Sequence, residues 1–338
     1  MGPAGHSHPH GDTARMTALD DPNAIARLDP HGARDVLGRF PAQCREALAL
    51  RPVPEVRVSP PRLVVIAGVG GSAVGGDLLA ACLGDRLTVP VLTHRGYGLP
   101  AMTDAATLVV TVSYSGDTAE AVSACEAALK TGAATLVLTT GGRLGALAAL
   151  RGVPAVTLLP TVPPEEVAEA LEIVEAVGAA LGPAQQTPHN EAKRLALAVG
   201  DRMPIIYGGQ ITACPAYRWK TDVEENAKRF AVAGALPEMN HNELEAWRAP
   251  EAGRLQAIFL RDPGEHPDID RRFAILRAMI EPAAGGVSEV WSRGEGRLAR
   301  LLSLISLGQW TSYYLALLHG VDPWVVPMLD EVKRRLRP

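Results

Sequence analysis

The chain has 338 residues, 47% of them hydrophobic and 21% charged, and a formal net charge of −4. At ~150 residues per domain that length predicts about two domains, and the composition is that of a globular protein with material for two cores. The mild acidity argues against a nucleic-acid partner. No apolar run of about 18 residues is free of charges and breakers, which predicts no membrane span, and Cys44, Cys82, Cys125 and Cys214, with no Cys-x-x-Cys pair, read as reduced core residues of a cytoplasmic protein.

In chain order, Met1 to Arg15 is rich in Gly, Pro and His and shows no apolar period, which predicts a disordered tail, set at 1–18. The alternating His6, His8 and His10 belong to it, Met16 is an alternative start, and no secretory signal is expected. Asp20-Asp21-Pro22 reads as a helix cap with proline in the first turn. Ile25, Leu28, Val36, Leu37 and Phe40 continue an amphipathic helix, and Cys44 to Leu50 completes a second.

Strands are then predicted at Leu63 to Ala67, Val89 to Thr93, Thr107 to Val112, Thr135 to Thr139 and Ala155 to Leu159. Helices are predicted at Asp77 to Leu83 and Thr118 to Thr131. Such alternation specifies a parallel sheet covered by helices on both faces. Pro163-Pro164 starts a long helix to about Leu181, and Gly182 to Pro188 is the candidate linker. Beyond it the pattern restarts: a helix from Glu191 to Ala198, strands at Pro204 to Tyr207, Leu255 to Leu260 and Val287 to Trp291, and helices at Leu298 to Leu318 and Met328 to Leu336. The predicted domains are 19–182 and 183–338, a duplicated α/β unit.

Two stretches carry the chemistry. Ile66-Ala67-Gly68-Val69-Gly70-Gly71-Ser72-Ala73-Val74-Gly75-Gly76-Asp77 and Val109-Val110-Thr111-Val112-Ser113-Tyr114-Ser115-Gly116-Asp117-Thr118-Ala119-Glu120 each run from an apolar strand through glycine or hydroxyl residues into a helix. Unpaired N–H groups and the positive dipole end at a helix start attract an anion, and Ser and Thr add donors. The pair therefore predicts a phosphate pocket at two adjacent strand ends. The first stretch ends Gly-Gly-Asp where a Walker loop needs Gly-Lys-Ser/Thr. The next strand runs into His94-Arg95 where a dinucleotide fold closes on an acid, and Ser115 lacks the preceding glycine of a nucleophile elbow.

The densest polar cluster is Tyr217 to Lys228 followed by Leu236 to Glu243. On a helix Lys220–Glu224 and Glu224–Lys228 are i,i+4 pairs, which fits a solvated face. Against that, Glu225-Asn226 interrupts an apolar period, and Asn240-His241-Asn242 sets an imidazole in a turn, so Glu225 and His241 are candidates for acid–base work.

The two Ser/Gly turns resemble those of sugar isomerase (SIS) domains. Glu225-Asn226-Ala227-Lys228, Asn240-His241-Asn242-Glu243, Gly320-Val321-Asp322-Pro323 and Leu329 to Leu336, with the opening Asp20-Asp21-Pro22 and Leu28-Asp29-Pro30, resemble the bifunctional phosphoglucose/phosphomannose isomerase family. The resemblance implies an α/β fold of two SIS-type doubly wound domains, each a parallel sheet flanked by helices, and a homodimer with shared active sites. It implies interconversion of glucose 6-phosphate, and of mannose 6-phosphate, with fructose 6-phosphate through an enediolate, without metal or organic cofactor.

Carried over by motif position, the resemblance implies that Gly70, Gly71 and Ser72 line the pocket and that Ser113, Ser115 and Thr118 hold the phosphate. It implies that Glu225 is the general base, while His241 from the partner subunit and Lys333 assist ring opening and hold the hydroxyls. Family members carry a Pro-Arg pair after the strand placed at Ala155 to Leu159, where this chain reads Pro163-Pro164-Glu165-Glu166. Loss of such a donor commonly costs about two to three orders of magnitude in rate, and Arg143 and Arg151 are the alternatives. Val326 stands where members carry a residue that helps admit both epimers. The competing reading is a non-catalytic phosphosugar sensor, which loss of the arginine favours. An amidotransferase-type isomerase is disfavoured because no glutaminase with an N-terminal cysteine is joined to the chain.

Overall fold

The computed structural model describes residues 18–49, 60–154 and 164–336. Residues 1–17 of the predicted tail and the strand at Ala155 to Leu159 lie outside these residues, and Ala18 is already helical. The chain forms two compact units, one of residues 42–167 and one of residues 1–41 with 168–338.

In the 42–167 unit the elements are β1 (Leu63–Ala67), α1 (Gly71–Leu83), β2 (Val91–His94), β3 (Thr107–Val112), α2 (Ala119–Thr131), β4 (Ala134–Leu138) and α3 (Gly142–Arg151). The strands pair in parallel in the order β2-β1-β3-β4, with Ile66 opposite Val110. Alternation along β1 and β3 sorts the core by face. Val65 and Val109 pack with Ala128 of α2, whereas Ile66, Val110 and Leu136 pack on the other face, where Gly76 brings α1 against Ile66. Both faces are covered, which is why these strands read as unbroken apolar runs.

The other unit opens with helices Pro22–Leu28 and Ala33–Gly38; the helix Phe40–Ala49 runs across the boundary between the units. Asp21 accepts the Asn23 N–H at 2.9 Å as the predicted cap. Asp20 instead pairs with the fully buried Lys193 at 2.8 Å. The rest comprises α4 (Pro164–Leu181), α5 (Glu191–Val199), β5 (Met203–Gly208), α6 (Ala213–Asn226), β6 (Val232–Ala235), β7 (Leu255–Arg261), α7 (Pro267–Ile280), β8 (Gly286–Trp291), α8 (Arg297–Leu318) and α9 (Pro327–Arg335). Its sheet is also parallel, in the order β6-β5-β7-β8, the same path as the first. The 182–188 segment lies within this unit, where Lys193 Nζ donates to the Pro183 and Gln185 carbonyls at 3.1 and 2.7 Å.

One face of the second sheet, with Ile206, Ile258 and Val290, packs on Trp219 and Val223 of α6 and on Trp310, Tyr313 and Tyr314 of α8; the other, with Tyr207 and Phe259, packs on Phe273 and Leu276 of α7. Helix α8 has the length and hydropathy of a membrane span, but 83% of that window is buried in the fold, as befits a core helix. Trp219 drives into it at Gly308, where any Cβ would overlap the indole, and its Nε1 donates to the Leu304 carbonyl at 2.7 Å. A buried indole needs such an acceptor.

Candidate functional site

In the first sheet the helix after β1 and the helix after β3 cover opposite faces, so the sheet path reverses between these strands. Ligands of doubly wound sheets sit at the carboxyl ends of the strands at such a reversal, and both Ser/Gly turns fall there. A Cβ on Gly68 would stand 2.8 Å from the Val112 carbonyl oxygen and 3.3 Å from Ser72 Cβ, so only glycine lets the two turns approach this closely. Gly70 has φ 57°, left-handed backbone open to glycine, and delivers Gly71 and Ser72 as the first turn of α1, where N–H groups have no intrahelical acceptor.

The second turn is shaped from within. The buried Ser113 Oγ accepts the Gly116 N–H at 3.0 Å and lies 2.9 Å from Thr118 Oγ1. Ser115 is exposed, its Oγ accepting the Asp117 N–H at 3.3 Å, and Thr118 is the residue before α2. The loop between β4 and α3 buttresses this turn. Thr140 donates to the Tyr114 carbonyl through N–H and Oγ1 at 3.2 and 2.6 Å, Leu144 N–H donates to the Gly116 carbonyl at 2.9 Å, and Arg143 N–H donates to Asp117 Oδ1 at 3.1 Å. The structure thus brings Gly70, Gly71, Ser72, Ser113, Ser115 and Thr118 to one edge of one sheet.

The equivalent place in the second sheet is filled by the chain itself. After β5, Gly208 and Gly209 lead into α6, and the Glu265 carboxylate from the loop after β7 accepts the N–H groups of Gln210, Ile211 and Thr212 at 3.1, 2.8 and 3.2 Å. Any Cβ at Gly209 would collide with that carboxylate. Glu265 is 7% exposed, and burial pushes its carboxyl up against the opposing pull of the three N–H groups. Sequence reasoning missed Glu265. The available signal was the position of Asp262-Pro263-Gly264-Glu265 at a strand end, matching the serine turn of the first half.

Glu225, His241 and Lys333 belong to this second unit. Helix α6 forms the expected Lys220–Glu224 pair at 2.6 Å and leaves Glu225 exposed on its last turn. The predicted Glu224–Lys228 pair is absent, because the helix ends at Asn226 with Ala227 as its cap and Lys228 turns the chain at φ 55°. Lys228 Nζ donates instead to the carbonyls of Asn226, Asp322 and Pro323 at 3.1, 2.8 and 3.2 Å. That clamp ties the end of α6 to the segment leading into α9. Asn226 Nδ2 adds a bond to Ser312 Oγ of α8 at 2.8 Å.

One turn back from Glu225, the buried Asp222 pairs with Arg218, whose Nη2 lies 2.6 Å from its Oδ1. Burial pushes the Asp222 carboxyl up to about 7, with Arg218 opposing and Glu225 adding to the rise. His241 ends a short 3-10 helix, Glu238–His241. Met239 is buried there and Arg272 Nη1 donates to Asn240 Oδ1 at 3.3 Å, which leaves the imidazole exposed. Lys333 is exposed on α9, 3.8 Å from Asp330 Oδ1. No residue of α9 is buried, and Met328, Leu329, Val332 and Leu336 present apolar surface.

Residues 188–336 match the family profile described as the bacterial phospho-glucose isomerase C-terminal SIS domain, which sets the class of the second unit's sheet. A bifunctional phosphoglucose/phosphomannose isomerase of Caldicellulosiruptor bescii is 34% identical over 301 residues, covering 81% of this chain and 89% of the relative. One of Thermoplasma acidophilum is 29% identical over 287 residues, covering 81% and 89%. The crystal structure of a glucose-6-phosphate isomerase like protein from Thermus thermophilus superposes with a TM-score of 0.58 at 22% identity, over 92% of this chain and 99% of that one, a likeness of fold. The chain belongs to the bifunctional phosphoglucose/phosphomannose isomerase family.

Proposed function

We propose that this protein is an aldose–ketose isomerase that interconverts glucose 6-phosphate, and mannose 6-phosphate, with fructose 6-phosphate. The observation that carries the reading is the meeting of the two Gly/Ser turns at the reversal point of the first sheet, in a chain of this family. Neutral N–H and hydroxyl donors at a helix start suit a phosphate monoester. In this reading Gly70, Gly71 and Ser72 line the sugar phosphate while Ser113, Ser115 and Thr118 hold it, Ser113 chiefly by fixing the turn.

Glu225 takes the proton from C2 of the open-chain aldose and returns it to C1 of the enediolate. An exposed carboxylate outside the neighbouring ion pair is available for that transfer. His241 passes the ring-oxygen proton on opening and Lys333 holds sugar hydroxyls. The apolar face of α9, uncovered in the single chain, supports a homodimer whose second chain supplies His241. The cytoplasm, with its supply of hexose phosphates and its reducing conditions, suits both the substrate and the free cysteines.

The test is coupled detection of turnover from fructose 6-phosphate to the two aldose phosphates, with Glu225→Gln alongside. Turnover by the wild type and its loss in the variant are expected. A wild type that binds fructose 6-phosphate without turning it over would establish the sensor reading instead.

A further inference from the structure

A phosphate monoester carries close to two negative charges at neutral pH, and the first sheet's turns offer it only neutral donors. They also carry an acid of their own, Asp117, exposed on the second turn. Those neutral donors bind a monoester unaided, but a cation beside them would offset Asp117 and add affinity, and the described basic side chains of this unit can be taken one by one. In a parallel α/β sheet, helix starts lie at the carboxyl edge with the turns, and helix ends lie at the opposite edge. Lys130 in the last turn of α2 and Arg151 at the end of α3 therefore stand at the wrong edge. So does Arg62, ahead of β1 and paired with Asp104, and so does Arg86, beyond the end of α1 and paired with Glu166. Arg95 follows β2 at the right edge but is bound to Asp77, His94 at the end of β2 keeps its Nε2 buried, and Arg45 stands on the helix Phe40–Ala49, ahead of β1, with a partner of its own.

Arg143 remains. It stands in the first turn of α3, its own N–H donating to Asp117 Oδ1 at 3.1 Å. The preceding residue, Gly142, has φ 64° and lies so close to the Ser115 carbonyl that no Cβ fits. The backbone is thus fixed against the phosphate turn on both sides of the arginine, while its side chain is exposed and its bond to an acid, Asp117, runs through the backbone N–H.

Resting on the isomerase reading above, we propose that Arg143 is the guanidinium that binds the phosphate of the substrate and selects phosphorylated over neutral sugars. Its planar fork suits a phosphate, and its charge offsets Asp117.

The experiment compares Arg143→Met, Arg143→Lys and Lys130→Met in the full chain, reading KM and kcat for fructose 6-phosphate and the affinity for inorganic phosphate by calorimetry. Since the structural link at 143 runs through the backbone N–H, Arg143→Met is expected to melt with the wild type. Loss of a charge-assisted bond raises its KM about ten- to a hundredfold, with kcat changed much less and phosphate affinity reduced in parallel. Arg143→Lys recovers part of the loss and Lys130→Met behaves as wild type. A KM and phosphate affinity in Arg143→Met equal to wild type, or the same loss in Lys130→Met, would overturn the assignment. If the wild type proves inert as an isomerase, the proposed function fails while the phosphate affinities still decide the role of Arg143.

Discussion

The two sheets follow one path, yet they treat the helix start at the reversal point in opposite ways. In the first, Gly70, Gly71 and Ser72 open α1 beside a turn of serines and threonine, and all the donors come from neutral groups. In the second, Glu265 sits on the N–H groups ahead of α6 as a built-in anion. Both helix starts call for negative charge; one takes it from the chain and the other leaves the place to a ligand. The lesson is a division of labour within a duplicated fold. The self-capped copy gains a firm α6, and α6 is the helix that carries Glu225.

That contrast can be broken from either side. The largest effect is expected at the base: Glu225→Gln lowers kcat by about two to four orders of magnitude with unchanged melting, as read by coupled assay and calorimetry. Next, Glu265→Ala strips the acceptor from three N–H groups, that of Thr212 buried, and costs about 2 kcal/mol or more by urea unfolding. Glu265→Gln, which keeps an acceptor oxygen, costs less. An Ala variant as stable as wild type would show that Glu265 caps nothing of consequence. Ser115→Ala in the first unit is the converse, leaving stability alone and raising KM for fructose 6-phosphate by about fivefold, the worth of one hydrogen bond of about 1 kcal/mol.

The smallest effect is a slope against pH. Asp222 has its carboxyl raised from 3.8 to about 7 in the fold by burial. A raised acid binds more protons folded than unfolded, so its stabilising contribution is complete at low pH and fades as pH climbs through that window. Wild type should lose stability relative to Asp222→Asn as pH rises from about 4 to about 7. A difference constant across that range would mean the pair with Arg218 keeps the carboxylate charged throughout.

Much of this was legible in the sequence because it is local. The strands at Leu63–Ala67 and Thr107–Val112 fall where the apolar runs put them, and α8 lies within a residue of its predicted start. Helix α1 starts at Gly71, six residues before the predicted Asp77, since a stretch rich in glycine has poor helix propensity. It is helical because Gly76 lets it lie on Ile66. Strand β6, Val232–Ala235, is missed for the same reason: Val-Ala-Gly-Ala is a weak strand former and takes its place by pairing with β5. Helices α3 and α7 also escaped prediction.

At the candidate site, the turns and Glu225 could be read from motif and residue type. Glu265, 55 residues from the N–H group of Gln210, and the clamp of Lys228 on residues 322 and 323 could not. Contacts at such separation follow from the tertiary path alone.

The most direct test of the central claim is hydrogen exchange at carbon. Incubated with fructose 6-phosphate in heavy water, the wild type should place deuterium at C2 of the aldose phosphate product, and Glu225→Gln should place none. Deuterium incorporation that survives in the variant at the wild-type rate would contradict proton transfer through Glu225.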